Sequence, residues 1–217
     1  MVGWLAVNVI TGTLLLVSLF SIINVEKSSV TTAVALVIFG GLVVLSGLLK
    51  EDTLAKIQTW LSWIFGILTV LILVLFLLKA KWQEAFSLPS GSWITGVLPA
   101  VSIVAAGSGI SWSMAAADWG AYVTKKTKPS ATFWNTTMGG AVPLFVLMAG
   151  GVMLSTIEPS LATTGDPFGV MYSALPTWIG PIYFLVAAGG LIPQCIISFR
   201  SARLNLATIG ITVTQRT

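Results

Sequence analysis

Long apolar stretches, separated by short polar ones, run along the whole chain. An α-helix needs about 20 apolar residues to cross the hydrocarbon core of a bilayer, and six stretches approach that length without an internal charge. The predicted spans are residues 1–24, 31–49, 57–78, 97–117, 137–157 and 178–199. Residues 68–78 show none of the apolar–polar alternation of a membrane β-strand. The pattern predicts an all-α polytopic membrane protein with about six transmembrane helices.

The composition excludes most soluble functions. Of the 217 residues, 56% are hydrophobic and 8% are charged, and the mean hydropathy is +0.96. A soluble domain has roughly 25% charged residues. One Cys and no His leave the chain without the commonest metal ligands or the usual general base. We therefore expect no enzyme activity, no metal site and no cofactor.

The basic residues indicate orientation rather than nucleic-acid binding. The net charge is +4, but the eleven basic residues are scattered among the polar stretches and form no patch. With a cytoplasmic N-terminus, eight of them fall on cytoplasmic segments and three on external ones. The eight are Lys50, Lys56, Lys125, Lys126, Lys128, Arg200, Arg203 and Arg216; the three are Lys27, Lys79 and Lys81. This bias predicts a multi-pass protein with both termini in the cytoplasm.

Two residues of the first span are candidates for ligand binding. Trp4 and Asn8 are four residues apart, so on a helix they lie on the same face. An amide within a bilayer needs a hydrogen-bond partner from protein, water or ligand. The alternative is a hydrogen bond between helices beside a packing Trp.

The fourth span contains a stretch that weakens a helix. Gly107, Gly109, Ser111 and Trp112 lie within it. Transporters use such interruptions near the bilayer midplane to build substrate sites, so we expect a helix break at Gly107, Gly109 and Ser111. The alternative is a close contact between helices through small residues.

The sixth span contains a second candidate break. Pro193 lacks the backbone donor that a helix needs, and Gln194 next to it places another amide within a span. The alternative is a tolerated kink with a hydrogen bond between helices.

Taken together, these side chains predict a neutral site. Two Trp rings offer flat apolar faces, and the amides of Asn8 and Gln194 offer donors and acceptors. No charged residue lies inside any predicted span. Such a set suits a planar, neutral heterocycle that forms hydrogen bonds, because stacking and amide pairing recognise a base in the same way.

The chain resembles the nucleobase:cation symporter family 1, most closely its purine–cytosine permease branch. The resemblance runs through 3–12 (GWLAVNVITG), 111–122 (SWSMAAADWGAY), and 189–194 (GGLIPQ) continuing to 210. These stretches are similar to the family's third span, the end of its sixth, and its eighth with the residues after it. The family fold has twelve spans built on a five-helix inverted repeat. The resemblance therefore implies a fragment comprising spans three to eight.

The resemblance also implies roles for individual residues. In relatives, a Trp and an amide of the third span, a Trp of the sixth and an amide of the eighth contact the base. These positions correspond to Trp4, Asn8, Trp112 and Gln194, the last of which is commonly Asn in relatives. Sodium-coupled relatives use eighth-span hydroxyls, whereas Ala187–Gly190 has none. The resemblance therefore favours a proton over sodium as the coupling cation.

The expected function is secondary active transport of a nucleobase, cytosine and/or purines, across the plasma membrane. The expected partners are the base, a coupling cation and the lipid bilayer. One alternative is a truncated membrane fragment that transports nothing. Another is a related transporter for allantoin, hydantoin or thiamine-like compounds.

Overall fold

The structure is a computed structural model that describes residues 2–49, 51–87, 91–106, 123–124 and 126–211. These residues form helices and connecting segments without any strand. The helices are α1 (Val2–Ile22), α2 (Ser29–Ser46), α3 (Glu51–Lys79), α4 (Trp82–Ser87), α5 (Leu98–Val104), α6 (Pro129–Ile157), α7 (Pro167–Ala174) and α8 (Ile179–Thr208). A π-helical turn (Trp93–Val97) leads into α5, and a 3₁₀ turn (Pro159–Ala162) follows α6.

Five of the described helices are long and apolar enough to cross a membrane: α1, α2, α3, α6 and α8. The predicted fourth span, 97–117, begins in the apolar helical segment Trp93–Val104 and continues into residues outside the description. The chain is an all-α polytopic membrane protein, as the hydrophobic pattern predicts. The division into six spans stays a prediction.

Local sequence signals set the helix ends. The Ser28 Oγ accepts a hydrogen bond from the Thr31 amide at 3.1 Å and caps α2. Asp166 caps α7 in the same way, with its Oδ1 accepting from the Gly169 amide at 3.2 Å. After α1 the chain turns at Asn24, which has a φ of 64°. Asn is one of the few non-glycine residues that tolerate this left-handed conformation.

The chain forms two compact units. The first comprises the described parts of Met1–Leu75 and Ser160–Thr217, and the second comprises the described parts of Phe76–Pro159. In the first unit, α1, α2 and α8 pack around one apolar cluster. Its fully buried members are Leu15, Phe39, Val43, Phe184, Ala188 and Cys195. This cluster holds together the two helices that carry Asn8 and Gln194.

Helix α3 packs against α8 within the first unit. The rings of Phe65 and Tyr183 stack with their centroids 4.9 Å apart and their planes 18° apart. Further along α8, a Cβ added at Gly189 would lie in ordinary van der Waals contact with the Leu61 side chain, at 3.5 Å. These two contacts place α3 beside α8.

In the second unit, α4 lies beside the end of α6. The backbone amide of Lys81 donates to the Thr156 hydroxyl at 3.2 Å, and that hydroxyl donates to the Met153 carbonyl. The rings of Trp82 and Phe86 stack on one face of α4, with centroids 6.0 Å apart. Helix α4 lies in a stretch that the hydropathy pattern assigns to a loop.

Candidate functional site

Asn8 is the most informative polar residue of α1. It is 6% exposed, and its amide nitrogen Nδ2 has no hydrogen-bond partner within the described structure. A buried donor that lacks a partner costs about 1–3 kcal/mol. Most buried side-chain amides are paired, so an unpaired one calls for an explanation. A ligand that accepts a hydrogen bond from Nδ2 would remove the cost.

Helices α1 and α8 run antiparallel. Helix α7, which directly precedes α8, packs against α1, and its Phe168, Met171 and Tyr172 join the cluster that contains Leu15. Lys27, just after α1, pairs with Asp166, just before α7. The C-terminal end of α1 therefore lies at the same end of the unit as the N-terminal end of α8.

The antiparallel arrangement places Asn8 and Gln194 on the same side of the shared cluster. Leu15 and Ala188 belong to the same buried cluster. At 1.5 Å per residue, Asn8 lies about 10 Å beyond Leu15 along α1. In the same direction, Gln194 lies about 9 Å beyond Ala188 along α8. The two predicted amides therefore lie on neighbouring helices, each beyond a member of the cluster that these helices share.

The predicted break at Pro193 does not interrupt α8, which continues as one helix from Ile179 to Thr208. Pro193 is buried, and the next residue but one, Cys195, is fully buried in the cluster. Packing against neighbouring helices compensates for the one hydrogen bond that proline removes. Gln194 is half-buried, and its backbone carbonyl accepts a hydrogen bond from the Ser198 hydroxyl at 3.0 Å.

The other predicted site residues differ in what the structure shows of them. Trp4 is half-buried and lies one turn before Asn8 on the continuous helix α1. Trp112 and the predicted break at Gly107, Gly109 and Ser111 lie outside the described residues. The structure thus brings α1 and α8 together as carriers of Trp4, Asn8 and Gln194.

Sequence reasoning missed four buried hydroxyls on the same two helices. Thr13 and Ser18 on α1, and Ser198 and Ser201 on α8, are each 3–4% exposed. The Thr13 hydroxyl donates to the Val9 carbonyl at 2.7 Å. For Ser198 the sequence contains a signal: it follows Gln194 by one helical turn, so the two residues lie on the same face of α8.

The described part of this site is electrically neutral. Helices α1 and α2 contain no charged residue, and neither does α8 before Arg200. The described residues hold no group of three or more His, Cys, Asp or Glu that could bind a metal ion. What the arrangement offers a ligand is amide and hydroxyl hydrogen bonding beside an indole ring.

A multi-pass helical membrane protein with a buried, neutral, hydrogen-bonding face is the class that fold and site define. The chain belongs to the family of permeases for cytosine/purines, uracil, thiamine and allantoin, whose model matches residues 1–217. This confirms the family that the three sequence stretches indicate.

Three relatives are similar to this chain. The purine-cytosine permease FCY21 of Saccharomyces cerevisiae is 25% identical over 217 residues, covering 96% of this chain and 37% of its own length. The purine-cytosine permease FCY2 of the same yeast is 26% identical over 197 residues (88% and 34%). The Bacillus subtilis protein YxlA is 28% identical over 145 residues (63% and 28%). The chain thus spans about a third of the length of these relatives. No solved structure matches it.

Proposed function

We propose that this chain supplies part of the substrate site of a secondary transporter that carries cytosine and/or purines across the plasma membrane. The observation that carries the proposal is the buried Asn8 amide, whose Nδ2 has no partner among the described residues of a permease-family chain. A nucleobase presents ring nitrogens and carbonyl oxygens that accept such a hydrogen bond. Asn and Gln amides pair bidentately with the adenine edge for the same reason.

Each side chain has a role in this proposal. The Trp4 indole stacks on the base, and the Asn8 and Gln194 amides bind its edge from two neighbouring helices. Trp112, by family resemblance, stacks from the fourth span. The neutral surroundings favour a neutral base over an amino acid, whose charged groups would need charged partners. Coupling to protons is favoured over sodium because Ala187–Gly190 has no hydroxyl. Both termini face the cytoplasm.

A second candidate is a related cyclic amide or heterocycle, such as uracil, allantoin or thiamine. The description of the family names these substrates, and a pair of neutral amides binds any cyclic amide by the same donor–acceptor logic. Competition of each compound with labelled cytosine for uptake distinguishes the two candidates.

A hybrid permease tests the proposal directly. Residues 1–217 replace the aligned segment of FCY21, and the hybrid is expressed in yeast without its own nucleobase permeases. We expect saturable uptake of cytosine, adenine or hypoxanthine that Asn8→Ala lowers strongly. The matched control is Asn135→Ala, which removes an exposed amide on α6. Equal KM and uptake rate for the hybrid and its Asn8→Ala variant would contradict the proposal.

Expression of the chain alone tests the alternative of a transport-inactive fragment. Broken helices of both inverted repeats line the substrate site in transporters of this architecture. We therefore expect residues 1–217 alone to insert in membranes without saturable uptake. Uptake above the empty-vector level would show that this segment is sufficient.

A further inference from the structure

One ion pair connects distant parts of the first unit. Lys27, in the connection between α1 and α2, pairs with Asp166, which directly precedes α7, 139 residues later in the chain. The two side chains are 39% and 45% exposed, so the pair lies at the surface of the unit.

Asp166 uses its two carboxylate oxygens for different tasks. Oδ1 accepts the Gly169 amide and caps α7, while Oδ2 faces the Lys27 ammonium. A side chain at position 169 would overlap the Asp166 carboxylate, so glycine leaves room for both interactions. The Asp166 carboxylate therefore pairs with the Lys27 ammonium and caps α7 at the same time.

Helix α7 covers one end of the packing between α1 and α8. The Phe168 ring meets the fully buried Phe184 ring edge to face with centroids 6.1 Å apart, and the Tyr172 ring lies 6.3 Å from it. Gly180 leaves the space that the Tyr172 ring fills. Ala174 and Leu175, at the end of α7, are each 6% exposed.

We propose that α7 is a lid over this end of the α1–α8 interface and that the Lys27–Asp166 ion pair is the strap that holds it closed. With α7 seated, its aromatic residues cover the apolar cluster at this end of α1 and α8. Opening of the strap lets α7 separate from Phe184 and exposes the buried residues at its end, Ala174 and Leu175, to water. The lid is a property of the fold, so it goes beyond the proposed function and is independent of the solute transported.

Thiol labelling measures the opening. Ala174→Cys is introduced together with Cys195→Ser, so that the buried reporter at the end of α7 is the only thiol of the chain. The rate of reaction with a water-soluble maleimide, measured on the purified chain in detergent, then follows the open population. An exposed ion pair contributes modestly, so Lys27→Gln and Asp166→Asn should each raise the rate roughly two- to fivefold. Asp166→Asn retains an oxygen that caps α7.

Two comparisons decide the outcome. Glu26→Gln, in the same connection, is the control for loss of a charge and should leave the rate unchanged. The double variant Lys27→Gln/Asp166→Asn should label at the rate of either single variant, because both remove one interaction. Single variants that label like Glu26→Gln, or effects that multiply in the double variant, would overturn the proposal.

Hydrogen exchange gives a second readout on the chain with its natural residues at 174 and 195. Lys27→Gln should speed hydrogen exchange at the backbone amides of α7 (Pro167–Ala174) beyond its first turn. The exchange rates of the amides of α2 (Ser29–Ser46) should stay unchanged. Equal acceleration in both helices would mean general destabilisation and would count against a lid.

Discussion

The ring of Phe39 on α2 occupies the space where a side chain on Gly12 of α1 would stand. Phe39 is 1% exposed and belongs to the central apolar cluster. The two helices therefore approach each other one turn after Asn8, so this contact fixes the part of α1 that carries the candidate site.

Gly12→Ala tests the contact between α1 and α2. The added methyl group would overlap the Phe39 ring, so the substitution should lower the free energy of unfolding by about 1–3 kcal/mol. The measurement is denaturant unfolding in mixed micelles, followed by circular dichroism. Gly40→Ala on α2 is the control, because its added methyl group meets open space and gains up to about 1 kcal/mol of helix propensity. Equal changes in the free energy of unfolding for the two substitutions would mean that the close approach of Phe39 to Gly12 does not matter for stability.

Phe39→Ala removes the other partner of this contact. The cavity left in the cluster should cost about 3–5 kcal/mol in the same unfolding assay. Phe86→Ala, on the 83% exposed ring of α4, is the matched control; it should change the stability by less than about 0.5 kcal/mol. A small effect at Phe39 would show that the ring is not buried in the folded chain.

Asn8→Leu separates stability from function. Replacing a buried, unpaired amide by an apolar group should raise the free energy of unfolding by about 1 kcal/mol, while nucleobase uptake by the hybrid falls. Thr13→Val should change the free energy of unfolding in the opposite direction, because the Thr13 hydroxyl already donates a hydrogen bond to the Val9 carbonyl. Loss of this hydrogen bond should lower the free energy of unfolding by about 0.5–1.5 kcal/mol. Destabilisation by Asn8→Leu would indicate that the amide has a partner in the folded protein.

Trp4→Ala tests stacking on the base. Loss of one stacking face costs about 1–3 kcal/mol, so the apparent KM of the hybrid for cytosine should rise roughly tenfold or more. Trp4→Phe should be milder, because a flat π face remains. Trp134→Ala, at a 58% exposed indole of α6, is the control. An unchanged KM in Trp4→Ala would make this ring an ordinary packing residue.

Reporter fusions test the orientation. The basic residues predict that a fusion after Thr127 reports the cytoplasm and one after Thr164 reports the outside. The opposite result at both positions would reverse the topology and contradict the correspondence with spans three to eight. It would also move the Lys27–Asp166 strap to the cytoplasmic side.

The sequence was a good guide to the long helices and a poorer guide to where they end. Charged and polar residues at the membrane surface continue a helix without adding hydrophobicity. For this reason α3 begins at Glu51 rather than at residue 57, α6 begins at Pro129 rather than at 137, and α8 continues to Thr208 rather than ending at 199. The family was predictable because its motifs are local.

Other features depend on tertiary contacts that no local pattern contains. Helix α7 lies in a segment read as a loop, although Asp166 followed by Pro167 is a helix-start signal. The approach of Phe39 to Gly12 could not be predicted, because hydrophobicity alone does not determine which faces of two apolar helices meet. The continuity of α8 through Pro193 likewise depends on packing around Cys195, which is distant in sequence from its neighbours on α1 and α2.

The separation of Lys27 and Asp166 by 139 residues has a consequence for biosynthesis. At the usual 5–20 residues per second, the ribosome needs on the order of ten seconds to make the second partner after the first. During that interval α1 has been synthesised, whereas α8, which packs against it in the folded unit, has not. The first unit can therefore be completed only after the residues of the second unit, which lie between its two parts in the sequence, have been synthesised.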